Sequence, residues 1–167
     1  MRILAVSGSL QRASSNHRLL EVAQRVAPAG VALTLFDGIR DLPHFDPDIE
    51  AGGDVPAPVV AWRRALSGSD ALLIASPEYG HSLPGALKNS IDWVIGSGEL
   101  ERKVVGITAA VPIAERGRLG LAALAGTLRA VRARLVGGAP IARGPDFERH
   151  VTELVAALVH EAELPGD

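Results

Sequence analysis

At 167 residues, 47% of them hydrophobic and 22% charged, the chain has enough apolar material for one packed domain and too little charge for a disordered one. A formal net charge of −2 gives no general attraction to nucleic acid or to an anionic membrane, and the lack of cysteine excludes disulfides, thiolate metal sites and thiol nucleophiles. A first strand at Arg2 leaves no room for a leader and no apolar run is long enough to cross a bilayer, so the expectation is a single domain over 1–167 in the cytoplasm.

In chain order, the first apolar run is Ile3–Val6, read as a strand. It stops at Ser7-Gly8-Ser9-Leu10, and a helix opens near Asn16 or His17 with Leu19, Val22, Ala23 and Val26 on one face. Val31–Phe36 is the second strand. The connection Asp37–Pro58 that follows is rich in Pro, Gly and Asp, and its length marks it as functional or mobile. Ala71–Ala75 is the third strand, broken by Pro77 and Gly80, with Pro84 in the first turn of a helix through Ala86–Ile95. That helix is apolar nearly all round (Leu87, Ile91, Val94, Ile95), with Trp93 as packing. It needs two partners, the sheet and something else, and a second subunit is the simplest candidate. Val104–Thr108 and Leu135–Ile141 complete the strands. Helical faces follow them in turn: Leu121, Leu124, Leu128 and Val131, then Phe147, Val151, Leu154, Val155 and Leu158. Continuous apolar strands alternating with helices predict an α/β fold: a three-layer, doubly wound, five-stranded parallel sheet, flavodoxin-like, of order 2-1-3-4-5.

The stretch "SGSLQRASSN" places many donors where the first strand meets a helix. Unpaired amides at a helix start, with the helix dipole, attract an anion. Ser9, Ser14, Ser15 and Asn16 add short donors, and Gln11 or Arg12 can close over them, which makes a phosphate cradle. The plainer alternative is a helix cap at Ser14, Ser15 or Asn16, with Gly8 turning the chain. No Walker pattern and no G-x-G-x-x-G is present.

The second stretch, "SPEYGHSLPGALKNSIDW", follows the third strand and faces the first across the switch point of the sheet. Amides of Glu78–Gly80 and the ring of Tyr79 can flank a flat heteroaromatic ligand; equally, the residues read as a Pro/Gly turn and a helix start. The two stretches together resemble the signature loops of the NAD(P)H-dependent FMN reductase family, a flavodoxin-like family that includes flavin, quinone, azo-compound and chromate reductases. "DLPHFDPDIEAGG" is similar to that family's segment after strand 2, and the likeness spans about residues 2–98.

The resemblance implies non-covalent FMN, reduced by NADPH or NADH. It implies phosphate ligands at Ser9, Ser14 or Ser15, and Asn16, with Gln11 standing where the family has Arg and Arg12 one place later. It implies packing on the isoalloxazine by Pro77, Glu78, Tyr79 and Gly80, with His81 and Ser82 nearby. Gly80 replaces the Asn of many relatives. In the third loop, "TAAVPIAERGRLG", Thr108 and Ala109 are the expected flavin contacts, although Val111-Pro112 departs from the family's small-residue pattern.

The expected activity is therefore hydride transfer from NAD(P)H to FMN and then electron delivery to a small-molecule acceptor: a quinone, flavin, azo compound or metal oxyanion. The cofactor carries the chemistry, so no catalytic side chain is assigned. The resemblance also implies a homodimer or homotetramer. A flavodoxin-type electron carrier and a non-catalytic FMN- or phosphate-ligand-binding module are the alternatives, and the weak net charge argues against the carrier. "GHSLPG" around Ser82, with Asp146 and His150 downstream, lacks the second Gly of a nucleophile elbow. His17, His44, His81, His150 and His160 show no metal-ligand spacing. Arg116 or Arg118 is the candidate for the extra phosphate of NADPH; Arg129, Arg132 and Arg134 read equally as a solvated helix face.

Overall fold

Five apolar runs become the strands of one sheet in the computed structural model, which describes residues 1–165: β1 (Arg2–Ser7), β2 (Ala32–Phe36), β3 (Ala71–Ala75), β4 (Val104–Val111) and β5 (Arg134–Ala142). Their order is β2-β1-β3-β4-β5 and every neighbouring pair is parallel, as the sequence pattern predicts. Every residue of the central strand β3 is buried, because helices cover both faces of the sheet.

The pleat sorts side chains by alternation. Leu4, Val6, Leu72, Ile74, Val105 and Ile107 face one layer, formed by α3 (Ala57–Ser67), α4 (Gly85–Asp92) and α5 (Arg118–Ala130). Ile3, Ala5, Ala71, Leu73 and Ala75 face the other, formed by α1 (Ser15–Val26) and α6 (Phe147–Glu163). The helix α3, opened by Pro56 and Pro58, is one the hydrophobic pattern does not single out.

Two expectations are corrected. The segment after β2 is no free loop: it holds a 3-10 turn, Gly38–Asp41, and a short helix, α2 (Pro47–Ala51) capped by Asp46. It lies on α4 as a strap. Phe45 N–H donates to Asn89 Oδ1 (2.8 Å), Asn89 Nδ2 donates to Pro43 O (2.9 Å), and Trp93 Nε1 donates to Pro43 O (2.8 Å). The Phe45 and Trp93 rings meet edge to face, 5.1 Å apart. The second partner of this all-round apolar helix therefore comes from the same chain, and Trp93 is fully buried without a second subunit.

Element ends also shift. β2 starts at Ala32, α4 stops at Asp92, and β4 runs on to Val111. The last extension includes a bulge: the β4–β5 register slips between Ile107 and Ala109, opposite Gly137 and Gly138 at φ +77° and +102°. Thr108 is completely buried and its hydroxyl donates to Ala139 O (2.9 Å), filling the slip.

Candidate functional site

The carboxyl end of β1 passes close over the end of β3. Gly8 N–H donates to Ala75 O (2.9 Å), and a Cβ at Gly8 would lie 2.9 Å from Ser76 Oγ and 3.2 Å from Ser76 Cα, so only glycine fits without displacement. The chain then coils on its own hydroxyls. Ser9 N–H donates to Ser7 Oγ, Gln11 N–H to Ser9 Oγ, and Ser14 N–H to Gln11 O. Ser14 is the N-cap of α1, its Oγ accepting from His17 N–H (3.1 Å).

That bonding leaves the amides of Leu10, Arg12, Ala13, Ser15 and Asn16 without a partner among the described residues. Ser15 and Asn16 are the first two residues of α1, whose N–H groups a helix cannot satisfy internally. The plain capping alternative thus explains Ser14 and not the rest. Asn16 is 4% exposed; its Oδ1 accepts from Ala110 N–H (2.9 Å), and its Nδ2 has no partner among the described residues. Gln11 and Arg12 are exposed above the loop.

Two arginines that the sequence patterning does not flag also reach it. Arg143, just past β5, extends Nη1 to Ser15 Oγ (3.4 Å), and Arg40 of the strap donates to Leu10 O (2.6 Å). They lie 128 and 30 residues from their partners, so no local signal could have found them.

After β3, Pro77–Ser82 forms a two-residue hairpin. Tyr79 N–H donates to Ser82 O and Ser82 N–H to Tyr79 O, each at 3.0 Å, across Gly80 and His81 at φ +55° and +62°. Two consecutive left-handed residues make a type I′ turn, which favours Gly and tolerates His better than branched residues. The Tyr79 amide is thereby committed, while those of Glu78, Gly80 and His81 stay free among the described residues. Tyr79 is 56% exposed.

Glu78 Oε2 accepts from Gly120 N–H (2.9 Å), so its carboxylate sits at the N-terminus of α5. This N–H, with lesser help from His81 and Leu119, holds the Glu78 carboxyl below the usual carboxylate range against the opposing effect of burial. Gly120 permits the approach: a Cβ there would stand 2.9 Å from Glu78 Cβ and 3.0 Å from Glu78 Cα.

Between Val111 and α5 the chain forms an arm, residues 112–117. Asn16 holds its start through Ala110, and Glu78 holds its end through Gly120. Arm and hairpin enclose a cleft of about 590 Å³, lined among others by Pro77, Glu78, His81, Val111, Arg116 and Leu119. Of the two residues expected here from the third loop, Thr108 and Ala109 are both fully buried, because β4 continues past them; Ala110 and Val111 reach the cleft instead. Ser82 is half-buried and both its backbone groups close the hairpin, an arrangement unlike a strand-to-helix nucleophile turn. No metal-binding cluster occurs among the described residues, and no described helix is long and apolar enough to cross a membrane.

Fold and site together define a flavodoxin-like α/β protein with a loop of free backbone donors at the switch point of its sheet. The family model described as NADPH-dependent FMN reductase matches residues 1–146, and the chain belongs to that family. An NAD(P)H-dependent FMN reductase of Pseudomonas aeruginosa is 39% identical over 122 residues, 73% of this chain and 64% of that one. A quinone reductase of Escherichia coli K12 is 33% identical over 94 residues, 56% of this chain and 50% of that one. The matches thus span between half and two thirds of those relatives' own lengths. Among solved structures, FerB of Paracoccus denitrificans, a flavoenzyme NAD(P)H:(acceptor) oxidoreductase, superposes with a TM-score of 0.84 at 27% identity over 97% of each chain. Flavodoxin 1 of Bacillus cereus shares the fold, with a TM-score of 0.67 at 14% identity over 99% of this chain and 100% of its own.

Proposed function

We propose that the chain binds FMN with its phosphate on the loop Ser9–Asn16 and its ring system beside the Pro77–Ser82 hairpin, and passes reducing equivalents from NADPH or NADH to a small-molecule acceptor. The observation that carries this reading is the set of unpartnered amides at Leu10, Arg12, Ala13, Ser15 and Asn16, with the unpartnered Nδ2 of Asn16 beside them. Free donors gathered at a helix start make a ready-made anion site. The hydroxyls of Ser9, Ser14 and Ser15 keep a hydrogen each to donate, and Arg12, Arg143 and Arg40 make the surroundings electropositive.

When bound, FMN supplies the hydride-accepting and electron-relaying chemistry. The chain positions it. The free N–H groups of Glu78, Gly80 and His81 are donors for the polar edge of the ring, Pro77 offers an apolar wall, and the exposed Tyr79 beside it is placed to flank the ring. Glu78 does not reach out as an acid or base, because its carboxylate is already engaged by α5. The cleft admits a flat acceptor of the quinone, flavin or azo class, or a metal oxyanion, against Val111, Pro112 and Leu119. Tyr79, Ile113 and Leu119 leave an apolar rim, each more than half exposed, which supports a second copy of the chain covering the cleft in a homodimer or homotetramer.

The test is a visible spectrum of the purified protein after incubation with FMN, followed by anaerobic addition of NADPH and then NADH. The reading expects a retained yellow colour that either nucleotide bleaches. A yellow protein that neither nucleotide bleaches is an electron carrier, and a protein that retains no FMN overturns the reading altogether.

A further inference from the structure

The wall of the cleft opposite the hairpin carries two guanidinium groups, Arg116 and Arg118, for which neither the fold nor the phosphate loop has a use. Neither has an ion-pair partner within 4.0 Å among the described residues, a state that seven other arginines share; what sets these two apart is that both line the same cleft. Arg118 Nε donates to Ala114 O (3.3 Å), and its terminal nitrogens remain open.

Its position is electrostatically unfavourable. Arg118 is the first residue of α5, whose first turn holds no acidic residue, and a cation at a helix N-terminus opposes the dipole. Glu78 answers for the helix amides, not for two arginines. The arm that presents the pair has a fixed shape, since Gly117 at φ +83° would place a Cβ 3.0 Å from Val111 Cγ1, and Arg116 N–H closes a turn on Ile113 O (3.1 Å). The other charged or titratable groups of the cleft are Glu78, His81 and Glu115. Glu78 is engaged by Gly120 and His81, and Glu115 is exposed with no side-chain partner among the described residues. None of residues 8–16 lines this cleft, so the pair is separate from the phosphate loop.

We infer that Arg116 and Arg118 form an oxyanion-recognition site that selects co-substrates bearing a second negatively charged group, a phosphate or sulfonate, on the molecule entering the cleft. A planar guanidinium matches two oxygens of such a group at once, and two of them on a rigid turn discriminate it from a neutral isostere. This inference rests on the FMN reading above. The oxyanion can arrive on the nucleotide or on the acceptor, and the two sources are separable.

The experiment titrates the FMN-loaded protein by calorimetry with two pairs of redox-inert ligands. NADP⁺ against NAD⁺ reports a nucleotide phosphate; naphthalene-2-sulfonate against naphthalene-2-sulfonamide reports an acidic group on an aromatic acceptor. The charged member of at least one pair binds about tenfold tighter, ~1.4 kcal/mol. The ratio falls toward one in the double variant Arg116→Gln, Arg118→Gln, which keeps its FMN absorbance. The pair that responds names the source. Equal or undetectable binding across both pairs overturns the inference, as does a preference that survives in the double variant. A protein that retains no FMN defeats the earlier reading instead, and the same four titrations on it still judge the arginines.

Discussion

Asn16 joins two parts of the site, and replacing it separates their contributions. Asn16→Ala removes the acceptor for Ala110 N–H, now bonded at 2.9 Å, from a side chain that is 4% exposed. Stranding such an amide costs about 1–3 kcal/mol, which for a chain of this size lowers Tm by roughly 2–12 °C. The same change removes the Nδ2 donor from the phosphate loop. A hydrogen bond to a charged group contributes about 1.5–3 kcal/mol, so FMN affinity falls by roughly 10- to 150-fold. Asn16→Asp divides the two effects. It keeps an oxygen for Ala110 N–H but turns a carboxylate oxygen toward the phosphate, so FMN binding is lost more completely than in the alanine variant. The assays are thermal denaturation, FMN fluorescence titration and hydrogen exchange at Ala110, whose amide stays protected in the aspartate variant and opens in the alanine one. Unchanged FMN affinity in Asn16→Ala, or an equally protected Ala110 in both variants, refutes the reasoning.

Gly120→Ala pushes a methyl group to 2.9 Å from Glu78 Cβ and forces the hairpin away from α5; overpacking of this kind costs about 1–3 kcal/mol, measured by urea denaturation. The Glu78 carboxyl lies below its ordinary range when folded, chiefly through the Gly120 amide, so the stability it contributes is complete above the unfolded carboxyl's titration and disappears as pH falls through the folded one. Glu78→Gln therefore flattens the acid side of the stability profile, and an unchanged slope there contradicts the assignment.

The sheet order was legible because β1 and β3 are uninterrupted apolar runs, and only burial on both faces accounts for such runs. The donor-rich loop after β1 was legible as a cluster of hydroxyls and amides because its residues are contiguous in sequence, and its phosphate-binding role is the one we propose. What escaped were contacts made across the chain. The end of β4 looks like a loop because Thr108, Ala109 and Ala110 are small, yet a bulge against Gly137 and Gly138 carries the strand through them. Apolar periodicity records that a face of α4 is buried, not by what, so it points to a second subunit as the simplest candidate; Phe45 and Pro43, more than forty residues away, supply the cover instead. The left-handed backbone of His81 has no signature either, since it follows from closing a hairpin around Gly80.

The irregularity in β5 reaches beyond the site. This strand forms one lateral margin of the sheet, where unsatisfied backbone would invite an added strand from a neighbouring molecule. Two left-handed glycines kink that margin in its middle, and Pro140 has no hydrogen to give. An intruding strand would find its pairing interrupted halfway along, between Arg134 at the start of β5 and Arg143 just past its end.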